Sequence, residues 1–346
     1  MNKDTKINNI DDCFFSKTYE FLNVYLIRQL NKSIHTRKSY KEGLSSFYDF
    51  ITNIKNIDPT KFKYSDCTYE FLLEYLQYLR ETLNLKNSTI NSRITSIKSY
   101  IKYISDIDIA FFSIYLSIQK IPFMPITKDR KEIIRQDDLK LILSLPKDSI
   151  HAKRDQLILI LLFDSAIRVS ELVNIKIGDI IIDNGLYSII IHGKGRKERC
   201  ITLSEKASVH LKNYLDEFKE NKQNPSTPLI YSKIKGNIAS MTTRNIAKIV
   251  KKYSDLARNS SENIPDSVYP HMIRRTRATL LYQDGVPLEQ ISALLGHESM
   301  ETTRSHYAYP SPEQLRKAVE KGSPQVEQEA EWEGNLDEIK RRFGLK

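Results

Sequence analysis

The stretch LYSIIIHGKGRKERCITLS, residues 186–204, has two β-branched runs separated by a Gly-Lys-Gly-Arg-Lys turn. Such runs around a glycine-containing turn predict a β-hairpin. The flanking patterns are helical: QDDLKLILSL and a buried run at 154–166 precede the hairpin, and PDSVYPHMIRRTRATLLYQDG and PLEQISALLGH follow it. The last two helices are expected to end at Gly285 and Gly296. The sequence therefore predicts a mainly α domain with a small antiparallel β-sheet.

A second helical region precedes this domain. Its clearest helix has isoleucines at steps of four and three, which places five of them on one face: Ile90, Ile94, Ile97, Ile101 and Ile104. The segment IQKIPFMPITKDRKEII, residues 118–134, holds two prolines and mixed charges, which indicates an exposed interdomain linker. A chain of 346 residues is long enough for two domains. We therefore expect a helical N-terminal domain at 14–117, the linker at 118–134, a second domain at 135–322 and a largely acidic tail at 323–346.

The chain is basic. Lys and Arg number 53 against 43 Asp and Glu, a formal net charge of +10, which favours a polyanionic partner. Nucleic acid is the first candidate and an acidic membrane surface the second. The longest apolar run, LILILLF at 157–163, is far shorter than the roughly 20 residues of a spanning helix. No membrane partner is therefore expected.

The compartment is expected to be the cytoplasm. The first residues, MNKDTKINNIDD, contain no apolar run of the kind that a secretory signal needs. The three cysteines, Cys13, Cys67 and Cys200, are widely scattered. This spacing suggests neither a zinc site nor a disulfide framework and fits a reducing environment.

Two helices of the N-terminal region carry basic faces. The helix beginning HTRKSYKEGLSSFYDF has three basic residues near its start, and three more lie off the isoleucine stripe. A solvated basic face explains each run taken alone. On a net-basic chain, two such faces favour contacts with phosphates. The candidate DNA-binding residues are Arg37, Lys38, Lys41, Arg93, Lys98 and Lys102.

Several residues of the second domain have a plain structural explanation when taken one at a time. Arg168 follows a buried helix and could simply pair with Glu171. Lys194 lies in the hairpin turn, where lysines are mostly solvated. His271 follows a proline at a helix start, and His297 follows a helix-ending glycine. A tyrosine, one of 19, is usually a packed side chain.

Taken in order, these residues resemble the tyrosine recombinase (phage-integrase-like) family. AIRVSEL, GKGRKER, HMIR, LLGH and the tyrosine of HYAY follow the family's sequence of Arg, hairpin Lys, His-x-x-Arg, His and Tyr. The resemblance is strong over about 135–310 and weaker in the N-terminal region. It implies a SAM-like helical core-binding bundle followed by a tyrosine-recombinase catalytic domain.

The resemblance implies a site-specific DNA recombinase that cleaves and rejoins strands through a 3′-phosphotyrosyl intermediate. Such an enzyme would serve a mobile element, as an integrase or transposase, or act as a Xer-like resolvase. Two alternatives use the same residues or fold. A type IB topoisomerase has a similar set of catalytic side chains, and a catalytically silent relative would only bind or bend DNA.

The resemblance also assigns roles. Arg168 and Arg274 clamp the phosphoryl oxygens, whose negative charge grows in the transition state. Lys194 protonates the departing 5′ oxygen, with Lys197 in the same loop as the second candidate. His271 handles the proton of the tyrosine, whose ordinary pKa near 10 leaves little phenolate at neutral pH. His297 hydrogen-bonds the scissile phosphate, and Glu171 orients the site.

The nucleophile lies in TTRSHYAYPS, residues 302–311. The commoner family spacing puts the tyrosine nine residues after the second histidine, but here His306 is ninth and Tyr307 tenth. An imidazole would form a labile phosphoramidate, whereas a phosphotyrosine keeps the energy of the bond for religation. We therefore choose Tyr307, with Tyr309 second, because a short loop absorbs one extra residue more easily than three.

No cofactor or metal is expected. HESME lacks the second histidine of a zinc-binding pair, and no glycine-rich phosphate loop of the NTPase kind is present. The expected partners are double-stranded DNA and further copies of the chain, as a dimer on each site and a tetramer in synapsis. Accessory DNA-bending proteins are possible partners. By the same resemblance, the tail at 323–346, with its single Trp332, is expected to dock on a neighbouring protomer.

Overall fold

The computed structural model of the chain describes residues 12–126, 132–147, 151–193, 198–217, 224–297, 300–307, 314–316, 319 and 336–345, with the backbone alone at 234, 302, 305–307 and 336. The chain forms two compact units, Met1–Asp129 and Arg130–Lys346, and each has its own hydrophobic core. The described part of the first unit is built from helices, and the second combines helices with two small antiparallel sheets. The predicted fold class is confirmed.

The N-terminal unit is a bundle whose first three helices widen into π-helical turns. Its isoleucine stripe on α4 is buried from Ile90 to Ile104, as the spacing predicted. Ser33 and Thr68 cap α2 and α3, because their hydroxyls accept hydrogen bonds from backbone N–H groups of the first turn. The described helices are α1 (Thr18–Glu20, with Phe21–Gln29), α2 (Ile34–Asp49, with Phe50–Ile54), α3 (Tyr69–Gln77, with Tyr78–Thr82), α4 (Asn87–Ile107) and α5 (Phe112–Gln119).

The predicted linker, 118–134, is not exposed throughout. Ile118 and Ile121 are buried in the core of the N-terminal unit. At the other end, Ile134 is buried in the core of the second unit, and its N–H donates to Thr276 Oγ1 at 3.0 Å. The prediction of an exposed segment is wrong at both ends because the prolines interrupt the helix without removing isoleucines that gain free energy on burial.

The predicted hairpin is present as strands β2 (Leu186–His192) and β3 (Glu198–Thr202), in a register that pairs Ile190 with Cys200. A further strand, β1 (Ile180–Asp183), pairs with β2, so the sheet has the order β1-β2-β3. The turn between β1 and β2 is Asn184-Gly185, with φ values of +46° and +81°. Positive φ at both central residues is what a tight hairpin turn requires.

The helices of the second unit pack around this sheet and around the buried helix α7 (Ala152–Asp164). Gly285 and Gly296 have positive φ at the ends of α11 and α12, as predicted. No helix in the described ranges is long and apolar enough to cross a membrane. The remaining described elements are α6 (Gln136–Ser144), α7 (Ala152–Asp164), α8 (Val169–Leu172), α9 (Glu205–Glu217), β4 (Tyr231–Ile234), β5 (Asn237–Ser240), α10 (Thr243–Arg258), α11 (Pro270–Gln283), α12 (Leu288–Leu295), α13 (Met300–Tyr307) and α14 (Leu336–Arg342).

Candidate active site

The loop between α7 and α8 presents Arg168. The buried Ala166 has φ +48°, in the left-handed region, and turns the chain before Arg168 reaches the N-cap of α8. The Arg168 side chain is 42% exposed, and its Nη1 donates to Glu171 Oε1 at 2.9 Å. The pairing of Arg168 with Glu171 is therefore present, and it leaves the guanidinium accessible.

Glu171 is held by two arginines. Its Oε2 accepts from the Arg168 backbone N–H at 2.8 Å, and both of its oxygens accept from Arg199, at 3.1 and 2.8 Å. Burial alone would raise the pKa of Glu171. The hydrogen bonds from Arg199 and Arg168 and the charge of Arg199 outweigh burial and hold this pKa below its usual range. The carboxylate thus stays ionised between two guanidiniums.

Arg274 lies beneath this cluster, only 1% exposed. Its Nη1 donates to the carbonyl of Ala166 at 2.6 Å, and its Nη2 donates to the carbonyl of Leu295 at 2.7 Å. Arg274 therefore joins three parts of the fold: α11, the loop before Arg168 and the end of α12.

His297 follows the left-handed Gly296 that ends α12. Its Nε2 lies 3.2 Å from Arg274 Nη2, and its Nδ1 lies 2.9 Å from Thr303 Oγ1. Arg168 Nη2 donates to the Gly296 carbonyl at 3.3 Å, next to the histidine. These contacts bring Arg168, Glu171, Arg274 and His297 into one cluster.

Of the other predicted catalytic residues, the structure describes His271 in full and only the backbone of Tyr307. His271 is the second residue of α11 and is exposed, one turn before Arg274 and so on the same side of the helix. Tyr307 is the last residue of α13, and its side chain lies outside the described part, as does that of His306. Lys194, Lys197 and Tyr309 also lie outside the described residues.

His192, at the end of β2, links this strand to β3 next to the hairpin turn. Its Nε2 lies 2.9 Å from Asp179 Oδ1, and its Nδ1 lies 2.8 Å from Glu198 Oε1 on β3. The hydrogen bonds to Asp179 and Glu198 raise the pKa of His192. These contacts hold together the two strands that lead into the loop of Lys194.

The cluster is positively charged. Arg168 and Arg199 bring two guanidiniums to the carboxylate of Glu171, and Arg274 brings a third to His297. Fixed positive charge in a partly dry site suits a group that gains negative charge in its transition state, such as a phosphoryl group. Among the described residues, no group of three or more His, Cys, Asp or Glu side chains is arranged to hold a metal ion.

The Phage integrase family model matches residues 132–314, more than half of the chain. The chain belongs to the phage integrase family. Tyrosine recombinase XerC of Staphylococcus haemolyticus (strain JCSC1435) is 29% identical over 316 residues, which are 90% of this chain and 97% of the relative.

Solved structures of the same fold align with this chain. XerH site-specific recombinase bound to palindromic difH substrate, in a post-cleavage complex, has 22% identity and a TM-score of 0.65, covering 84% of this chain and 80% of that one. A lambda integrase tetramer bound to a Holliday junction has 15% identity and a TM-score of 0.62, covering 88% and 81%. The chain is thus an enzyme of the tyrosine recombinase class, which cleaves and rejoins DNA. The predicted family and enzyme class are confirmed.

The basic residues predicted to bind DNA on the N-terminal unit have different surroundings. Lys41 is exposed, Arg37 and Arg93 are half-buried, and the exposed Lys38 and Lys102 pair with acidic residues four positions on, Glu42 and Asp106. The helices that carry them, α2 and α4, pack so closely at Gly43 that a Cβ atom there would lie 2.4 Å from Ser96 Oγ. These five residues remain candidates for DNA contacts.

Lys98, the sixth predicted DNA-binding residue, is buried. It is 6% exposed, and its ammonium donates to the carbonyls of Gln119 at 3.1 Å and Ile121 at 2.6 Å. It also lies 4.6 Å from the centre of the Phe123 ring, and burial lowers its pKa. The prediction that Lys98 lies on an exposed basic face is wrong, because the segment after α5 folds back over α4 and uses the lysine to satisfy its own carbonyls.

Two residues that contact the cluster of Arg168, Glu171, Arg274 and His297 were not among the predicted site residues. Arg199 lies in the motif GKGRKER, which was read only for its lysines, and Thr303 lies in TTRSHY, which was read only for its rings. Their positions beside known motif residues were a usable signal. Their partners are distant in sequence or on another helix, so the contacts themselves needed the tertiary structure.

Proposed function

We propose that the chain is a site-specific DNA recombinase that acts through a 3′-phosphotyrosyl intermediate formed on Tyr307. The observation that carries this proposal is the cluster of Arg168, Arg274 and His297, tied through Thr303 to the helix that ends at Tyr307. When a phenol oxygen attacks a phosphate bound at this cluster, the positive side chains would stabilise the negative charge that develops on the phosphate.

Each side chain has a role in this proposal. The exposed guanidinium of Arg168 and the buried guanidinium of Arg274 clamp the phosphoryl oxygens, and Arg274 also contacts His297. His297 hydrogen-bonds the scissile phosphate through Nε2, in place of its contact with Arg274, while Nδ1 keeps its contact with Thr303. His271 accepts the proton of the tyrosine, and Lys194 returns a proton to the departing 5′ oxygen.

The proposed substrate is double-stranded DNA, held by both units. Arg37, Lys38, Lys41, Arg93 and Lys102 contact phosphates from the N-terminal unit. Related structures contain XerH on a palindromic site and a lambda integrase tetramer on a Holliday junction. We therefore infer a dimer on each site and a tetramer in synapsis, with the tail at 323–346 docked on a neighbouring protomer. Accessory DNA-bending proteins assist where the site requires them.

The proposed location of the enzyme is the cytoplasm. The enzyme would serve a mobile element or resolve replicons. The relative named XerC, similar over 90% of this chain, supports this range of functions without separating its members.

The experiment begins with footprinting on DNA that flanks the enzyme's own gene. A nicked suicide duplex that carries the protected sequence should trap a covalent protein–DNA adduct, in excess EDTA as well as without it. Two intact copies of the site on one plasmid should then recombine. Relaxation of a supercoiled plasmid that lacks the site, without exchange, would instead indicate a topoisomerase. Binding without any adduct would indicate a silent DNA-binding protein.

A further inference from the structure

Arg199 lies on β3, five residues after Lys194, and its side chain is only 16% exposed. It donates two nearly parallel hydrogen bonds to Glu171, from Nη1 to Oε1 at 3.1 Å and from Nη2 to Oε2 at 2.8 Å. A bidentate pair of this kind fixes both the distance and the plane of the carboxylate. Arg168 reaches Glu171 with one guanidinium nitrogen and its backbone N–H. The carboxylate is therefore oriented by Arg199 from β3 as well as by Arg168 from its own helix.

The third donor of the same guanidinium reaches a different element. Arg199 Nε donates to the carbonyl of Leu294 at 3.2 Å, in the last turn of α12. A Cβ on Gly296 would lie 2.8 Å from Arg199 Nη1. Glycine at this position thus allows the guanidinium to lie against the end of α12, immediately before His297.

All three guanidinium nitrogens of Arg199 donate to groups of the protein itself. Arg199 holds Glu171, which faces Arg168, and it holds the helix end that leads to His297. It does so from β3, the strand that follows the hairpin turn in sequence. A planar guanidinium can make these connections together, and the compact ammonium of lysine cannot.

We infer that Arg199 is a positioning residue, which clamps Glu171 and the end of α12 so that Arg168, His297 and the hairpin strand keep a fixed arrangement. This inference rests on the proposed function, because it gives Arg199 a part in the same phosphoryl-transfer site. Arg199 itself does not contact the reacting atoms.

The test uses the full-length chain and the suicide duplex, with adduct formation followed in single turnover at saturating DNA. Arg199→Gln should slow adduct formation by about 10- to 100-fold, because small misplacements of catalytic groups have effects of this size. The affinity for DNA should stay close to that of the wild type. Arg199→Lys should recover part of the rate, because it restores the charge but not the bidentate geometry.

The dependence of the rate on pH separates positioning from a general structural role. Glu171 must be ionised to orient Arg168, and Arg199 favours its ionised form. Loss of Arg199 raises the pKa of Glu171, so the acidic limb of the rate profile should move to higher pH in Arg199→Gln and by less in Arg199→Lys. Arg154→Gln is the matched control, since Arg154 forms a part-buried ion pair with Asp155 outside the cluster. It should leave the profile unchanged.

Three outcomes decide the inference. An active wild type with Arg199→Gln at the wild-type rate and pH profile would overturn the inference and leave the proposed function standing. No adduct with the wild type on its footprinted site would overturn both. If Arg199→Gln does not fold, Arg199→Lys must slow adduct formation while DNA binding persists, because lysine keeps the charge and cannot hold both oxygens of Glu171. An unchanged rate in that variant would equally overturn the inference.

Discussion

His297 Nδ1 and Thr303 Oγ1 lie 2.9 Å apart, and this contact joins the end of α12 to α13. Thr303 is fully buried and lies one helical turn before Tyr307, on the same face of α13. On the other side of the ring, His297 Nε2 lies 3.2 Å from Arg274 Nη2. The imidazole is therefore oriented from both sides.

Removal of the Thr303 hydroxyl should slow DNA cleavage. Thr303→Val keeps the shape of the side chain but removes the hydroxyl that contacts His297 Nδ1, so adduct formation should fall about five- to tenfold, the effect of one hydrogen bond of about 1 kcal/mol. Thr303→Ser is the control and should retain most of the rate. Single-turnover cleavage of the suicide duplex measures both. A valine variant as fast as the wild type would mean that this contact does not orient the histidine.

Tyr307 is expected to be the nucleophile. Tyr307→Phe should bind its site and form no covalent complex, because it keeps the ring and lacks the attacking oxygen. Tyr309→Phe should still form the complex. Peptide mapping of the trapped adduct identifies the modified residue. A phosphate found on Tyr309 or His306 would overturn the choice of nucleophile and leave the family unaffected.

Lys194 is expected to protonate the departing 5′ oxygen. Lys194→Ala should cleave ordinary DNA slowly and should recover most of its rate when the 5′ bridging oxygen is replaced by sulfur, because a thiolate leaves without a proton. The comparison of the two substrates in cleavage assays is the measurement. Rescue in Lys197→Ala but not in Lys194→Ala would assign the role to Lys197.

Lys41 and Lys98 should behave oppositely when substituted. Lys41→Ala should weaken DNA binding and lower the slope of log affinity against log salt by about 0.9, if it neutralises one phosphate. Lys98→Met should leave that slope unchanged but destabilise the N-terminal unit by about 1–3 kcal/mol, because two carbonyls lose their donor. Salt titrations and thermal denaturation measure the two effects. A reduced salt slope in Lys98→Met would contradict the assignment of this lysine to the core.

The tail should matter for assembly more than for binding. Deletion of 324–346 should impair synapsis or strand exchange while single-site binding is retained, because the acidic segment with Trp332 is proposed to anchor on a basic neighbouring protomer. Gel-shift assays on one site and recombination assays on two sites separate these steps. Equal recombination by the shortened chain would remove this role.

Several features could be predicted from the sequence alone because they depend on neighbours within one or two turns of chain. The isoleucine stripe of α4, the ends of two helices at Gly285 and Gly296, and the Arg168–Glu171 pair all follow from local spacing. The third strand, β1, also had a local signal, the Asn184-Gly185 turn, which the sequence analysis did not use. The order of motifs indicated the family, since each motif is a short local pattern.

Only the tertiary structure decided which side chains meet. Arg199 and Glu171 are 28 positions apart, and Arg274 and Ala166 are 108 apart, so no helical or strand period relates the members of either pair. Lys98 has the same local pattern as an exposed lysine, and it is buried because the backbone of another segment supplies carbonyls for its ammonium. A buried charge is stable only with such partners, and their position depends on how distant parts of the chain pack. The sequence by itself thus determined the elements and the family, and packing determined the contacts of the site.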